Sequence, residues 1–208
     1  MGMSREEARA EEAYDAIREE IVEEALRNLA WEPVSVYMRQ YGDAVEARVS
    51  ESIERAQGLL VAGFPGPSLV SSGTAIEVII RYLILRPLVQ GAFMSDQWAE
   101  ILSNRVLAHR AAEDRQLVPH VLKHWNVDID RARLGCGKPL WHVLHDKIWR
   151  ARNNHVHRGD PVDDKIASLG IEVARALRGI AVNALASAGV KKMDDVWCWH
   201  GTPGNPFA

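Results

Sequence analysis

The chain has 208 residues and a net charge of −3, enough length to bury a core without disulfide or metal staples. With 47% apolar and 25% charged residues it reads as globular, which excludes a disordered or fibrous protein. Two distant cysteines, Cys136 and Cys198, exclude a disulfide framework and fit reduced thiols in a cytoplasm.

The elements follow in chain order. Ser4 and Glu7 form a capping box. The helix expected after it places Ala13, Ile17, Ile21, Ala25 and Leu29 on one face. Nine acids against four arginines give residues 1–30 a net charge of −5, so the other faces read as solvated. Pro33 breaks that pattern. A second helix is expected from Asp43 to Val61, then a turn at Gly63-Phe64-Pro65-Gly66-Pro67. Residues 1–40 are thus read as an acidic helix and connector before a bundle spanning 43–188.

Leu69 to Leu88 is the most apolar stretch. Its helical spacing of Ile76, Ile80, Leu83 and Ile84 predicts a buried helix rather than strands. Pro87 is expected to end or kink it, because proline disfavours the helical region for Arg86 before it. Arg81 and Arg86 also interrupt the run, so no membrane span is expected. The N-terminus has no apolar core of a leader, and no secretory signal is expected.

Ser95 is expected to cap a helix reaching His109, with a less regular piece at Asp114–Trp125 and a loop at Asn126–Pro139. A helix is expected at Leu140–Arg152. The last helix is capped by Asp163 or Asp164, buries Ile166, Leu169, Val173, Leu177, Ile180 and Ala184, and stops at Gly189. The tail 189–208 reads as irregular, with Trp197, Trp199 and Phe207 packing on the bundle or on a dimer mate. No strand-length alternation and no fixed repeat is present. The expected fold is an all-α antiparallel bundle of about five to seven helices.

The chemistry concentrates in Trp149-Arg150-Ala151-Arg152-Asn153-Asn154-His155-Val156-His157-Arg158-Gly159. Residues 138–158 carry Lys138, Lys147, Arg150, Arg152 and Arg158 against Asp146 alone, a local net of +4 suited to a phosphate-bearing ligand. Arginine offers a planar donor fork to phosphate, and histidine moves protons near neutrality. On an unbroken helix Arg152 and His157 would point about 140° apart. Their convergence requires a break, expected at Asn153-Asn154, since asparagine tolerates the left-handed conformation.

These residues resemble the R-x(4–6)-H signature of the HEPN family: Arg152, Asn153 and His157, with Gly159 following. The segment Thr74-Ala75-Ile76-Glu77-Val78-Ile79-Ile80-Arg81 resembles the family's second helix, which often carries a polar residue facing the motif. The resemblance covers roughly 43–188, and only the short motif is specific. It implies a helical bundle that commonly dimerises with facing motifs and, in many members, a metal-independent endoribonuclease acting as a toxin or antiviral effector. It further implies that His157 transfers the proton, Arg152 holds the phosphate and Asn153 orients the pair. RNA would be the substrate, a homodimer the assembly and a cognate antitoxin or defence protein a further partner. Some members only bind nucleotides or partners.

Arg150, His155 and Arg158 are candidate auxiliary substrate contacts, with His155 an alternative proton carrier. Glu77 either pairs with Arg81 one turn on or faces the motif and orients Arg152. His142/His145 and His120/His124 have helical spacing for a metal but lack a completing ligand, so no metal and no cofactor is expected. Gly135-Cys136-Gly137-Lys138 lacks the spacer and the Ser or Thr of a phosphate loop. Three readings stay open: a ribonuclease, a non-catalytic binding module, and a helical interaction protein with an accidental motif. The third would set Arg152 and His157 apart or bury Arg152 in a salt bridge.

Overall fold

A computed structural model describes residues 34–87, 118–119, 121–123, 125–194 and 196–199. The expected helices at 4–30 and 95–109 lie outside these residues, as do His120 and His124.

Four long helices form the described part. Helix α1 covers residues 34–61. Helix α2 is Pro65–Val78, continued without interruption by the π-helical Ile79–Leu85. Residues 118–119 and 121–123 are also helical, and Ile129–Arg131 is a 3₁₀ turn. Helix α3 joins Leu140–Val143, a π-helical stretch Leu144–Trp149 and Arg150–Arg158. Helix α4 is Asp164–Ser187. The described residues are mostly α, and the four long helices together with the helical residues at 118–119 and 121–123 stand at the low end of the expected number.

The caps are locally written. The Asp163 carboxylate accepts from Ile166 N at 2.7 Å and starts α4. Helix α2 opens with Pro65 in its first turn, where a missing N–H is harmless. The turn expected at 63–67 is therefore confined to the residues before Pro65, with Gly63 at φ +80°. Helix α3 ends at Gly159, left-handed at φ +72°, a conformation that favours glycine.

The core runs through all four helices, with Met38, Val49, Leu69, Ile76, Ile80, Leu83, Leu144, Ile148, Val173 and Leu177 buried. Ser68 Oγ donates to Ala56 O across the α1–α2 contact at 2.7 Å. Helix α2 packs along α4, where a Cβ at Gly170 would meet Ser72 Oγ at 2.6 Å. Residues Pro65–Leu85 are long and apolar enough to cross a membrane, but 67% of their most apolar window is buried within the fold. It is the central helix of the core.

Two boundaries differ from expectation. Helix α1 runs through 40–43 without a break, and Val34, Tyr37 and Met38 share the one core. The tail is not irregular where it is described. Strands β1 (Val190–Met193) and β2 (Val196–Trp199) pair antiparallel, Val190 opposite Trp199 and Met193 opposite Val196. Trp197 is buried against Gly42 of α1, and Lys192 reaches Asp43 at 2.9 Å and Glu46 at 3.3 Å. Strand segments this short carry too few alternating positions to stand out in a sequence.

Candidate functional site

The site forms where α2 and α3 run antiparallel. Arg152 lies across α2. Its Nη1 donates to Glu77 Oε1 at 3.0 Å and its Nη2 to Glu77 Oε2 at 3.4 Å. This is the end-on, two-point pairing that suits a planar guanidinium. Glu77 takes this partner and not Arg81. The pair is half-sheltered, with 21% of the Arg152 side chain and 39% of the Glu77 side chain exposed.

Two residues that the motif did not single out complete the clamp. The Trp149 ring lies under the guanidinium, 5.3 Å from its centroid to Arg152 Cζ, a cation–π contact. Gly73 forms the floor: a Cβ there would meet Arg152 Cδ at 2.6 Å and Nε at 2.8 Å. Arg152 Nε is buried with no hydrogen-bond partner among the described residues. The signal for both was helical spacing. Trp149 precedes Arg152 by three residues and Gly73 precedes Glu77 by four, so each pair shares a face.

Both π-helical stretches adjoin this pair. Ile79–Leu85 starts just after Glu77 and Leu144–Trp149 ends just before Arg152. Such widened turns recur at functional sites because they re-aim the side chains beside them.

His155 sits on the same flank as Arg152. Its Nδ1 lies 2.8 Å from Asp160 O, and since a carbonyl only accepts, Nδ1 carries the proton. Its ring fills the space above Gly66, where a Cβ would overlap it. His155 thus ties the α3–α4 connection to the start of α2.

The break expected at Asn153-Asn154 is absent. Asn153 and Asn154 lie inside the regular helix Arg150–Arg158, because Gly159 supplies the left-handed cap instead. Arg152 and His157 consequently project about 140° apart. Arg152 faces α2, whereas His157, Asn153, Arg150 and Arg158 are exposed. Within one chain the structure brings together Arg152, Glu77 and His155, and leaves His157 with Arg150 and Asn153 on the solvent face. Asn153 does not bridge the motif pair.

His142 does not form a site with His145. Its Nδ1 lies 2.9 Å from Asp146 Oδ2, and His145 is buried edge-on to Trp141 with ring centroids 4.5 Å apart. Among the described residues no three potential ligands gather for a metal ion. Arg150, Lys147 and Arg158 are exposed and make no ion pair among the described residues, which gives α3 a cationic outer face. Comparison with family models, with curated proteins and with solved structures finds no match for the chain.

Proposed function

We propose that this chain is a HEPN-like endoribonuclease that cleaves RNA without a metal, with Arg152 binding the scissile phosphate and His157 carrying the proton. The observation that carries the reading is the two-point Glu77–Arg152 pair. A carboxylate from the second helix of the resemblance meets the motif arginine and fixes the plane of its guanidinium. Positioned charge of this kind stabilises a pentavalent phosphorane more than the ground state.

In the reaction the 2′-OH attacks the adjacent phosphorus and the bond to the 5′-oxygen breaks. The products are a 2′,3′-cyclic phosphate and a 5′-hydroxyl. His157 takes the 2′ proton as a neutral imidazole, and the imidazolium so formed returns it to the leaving 5′-oxygen. Because Arg152 and His157 occupy different faces of one α3, the reading uses two copies of the chain, with His157 of one copy approaching Arg152 of the other. The cationic face of α3 suits the RNA backbone. A cytoplasmic toxin or defence effector, held by a cognate antitoxin, is the corresponding role.

A second reading has its own observation. Glu77 occupies both terminal nitrogens of Arg152 and offsets its charge, which fits a module that binds nucleotide or a protein partner without cleaving. The divergence of Arg152 and His157 within one chain and the half-sheltered salt bridge of Arg152 to Glu77 are also what an accidental motif in a helical interaction protein is expected to show.

The test is incubation of the purified chain with total RNA in excess EDTA, beside His157→Ala and Arg152→Ala. Cleavage by the wild type alone, leaving cyclic phosphate ends, supports the first reading. Recovery of activity on mixing the two inactive variants supports the shared site. A folded dimer that binds but does not cleave sustains the second. Equal cleavage by all three refutes the assignment of both residues.

A further inference from the structure

The carboxyl half of α2 carries two arginines that the Arg152 site does not use. Arg81 lies one turn beyond Glu77, about 6 Å along the axis at 1.5 Å per residue. Arg86 stands where the π-helical stretch Ile79–Leu85 closes. On a regular helix a separation of five residues would set these two side chains about 140° apart. Here the backbone N–H of Arg86 donates to Arg81 O, a bond that spans five residues instead of four. The widened turn narrows that angle and brings Arg86 round towards Arg81. Glu77, Arg81 and Arg86 therefore follow one another along one flank of α2.

Positive charge is in surplus on this flank. Glu77 is the one carboxylate of residues 65–87, and both its oxygens are taken by Arg152. The side chains of Arg81 and Arg86 make no hydrogen bond and no ion pair among the described residues, and both are half-buried. Arg86 is nevertheless held in place. Its Cζ lies 5.9 Å from the ring centroids of Tyr37 on α1 and of Tyr82 on α2, within reach of a cation–π contact. Such rings steady a guanidinium without neutralising it, and its N–H groups stay available to an acceptor.

We propose that Arg81 and Arg86 bind the phosphate adjacent to the one held by Arg152. A single strand of RNA would then cross α2 from the α3 side, at Arg152, to the α1 side, at Tyr37. Planar guanidinium forks take phosphate oxygens two at a time, and the two free arginines restore the charge that Glu77 offsets at Arg152. Contacts of this kind fix the register of a strand and read no base. The inference rests on the RNA reading and adds a second phosphate subsite to it.

The test is fluorescence anisotropy with a single-stranded 2′-O-methyl oligonucleotide at several salt concentrations. Its 2′-oxygen is blocked, so binding is read whether or not the protein is a nuclease. Wild type, Arg81→Gln, Arg86→Gln and the double variant are compared, with Arg86→Lys preserving the charge. Each lost phosphate contact should lower the slope of log Kd against log salt by about 0.7, and the double variant should bind about tenfold more weakly at low salt. Arg86→Lys should keep the wild-type slope. A role confined to the fold would lower Tm and leave the slope unchanged, and that result overturns the proposal. So does a folded wild type that does not bind the oligonucleotide. ADP supplies the other arm: a double variant that loses ADP but keeps the oligonucleotide assigns these arginines to a free nucleotide and overturns the RNA subsite. Cleavage of unmodified RNA is followed separately. Weakened binding in the variants, beside a wild type that does not cleave, supports the subsite and sinks the nuclease. Cleavage by the double variant with unchanged KM sinks the subsite and leaves the nuclease standing.

Discussion

Replacing Gly73 with alanine should destabilise the protein, against the usual sign for a glycine inside a helix. Alanine ordinarily gains about 0.8–1.0 kcal/mol there. At Gly73 the new methyl group would sit 2.6 Å from Arg152 Cδ and 2.8 Å from Nε, so the arginine must lift off. That forfeits the pair with Glu77, worth about 1–2 kcal/mol. The figure lies between an exposed pair and a buried one, because 39% of the Glu77 side chain is open to solvent. It also forfeits the contact with Trp149, about 0.5–1 kcal/mol. The net loss is about 0.5–2 kcal/mol, or a fall in Tm of about 1–8 °C for a chain of this size. Urea unfolding and thermal scans of four proteins check it: wild type, Gly73→Ala, Arg152→Ala and the double variant. In the Arg152→Ala background the obstacle is gone, and the same substitution should stabilise by about 0.5–1 kcal/mol. Gly58→Ala and Gly179→Ala, with nothing within 4 Å of the new atom, provide the ordinary sign. A Gly73→Ala variant that gains stability as those two do would refute the position of Arg152 over α2.

Three further expectations follow. Glu77→Gln and Arg152→Gln should show a coupling of about 1 kcal/mol in a double-mutant cycle by urea unfolding; a value near zero would make the pair incidental. Asp163→Ala should cost about 1 kcal/mol through loss of the α4 cap, and Asp163→Asn much less, measured the same way. Burial pushes the Tyr37 hydroxyl up from 10.0 to about 12, against an opposing effect of Arg86. A folded-state value above the unfolded one means that the native protein holds the proton longer. Its contribution is therefore complete below about pH 10 and is lost as pH rises towards 12. Tyr37→Phe should flatten that alkaline loss, and tyrosinate absorbance should show one group ionising late.

Much of this fold is written locally. The spacing of Ile76, Ile80, Leu83 and Ile84 marks α2, and Asp163 marks the start of α4, because periodicity and caps act within one turn of the residues that encode them. The Arg152–Glu77 contact was legible only as one of two options. Glu77 has Arg81 one turn away, and the choice depends on how closely α3 approaches α2. Gly73 sets that approach, and its effect lies in what a side chain would have displaced. The course of α3 past Asn153-Asn154 was misread for a related reason. Asparagine permits a break, but Gly159 five residues later is the better left-handed residue, so the helix continues to it. The hairpin escaped notice because its pairing is stabilised by Trp197 on Gly42 and Lys192 on Asp43 and Glu46, contacts no local pattern encodes.

Those last contacts bear on the order in which the protein is made. Lys192 and Glu46 are 146 positions apart, so the groove of α1 that receives Trp197 is synthesised early and filled late. During that interval the nascent chain holds an apolar seam without its cover, a state that attracts chaperones and favours aggregation. Ribosome-bound chains halted before residue 190 should accordingly remain protease-sensitive in α1, and release of the hairpin should protect it.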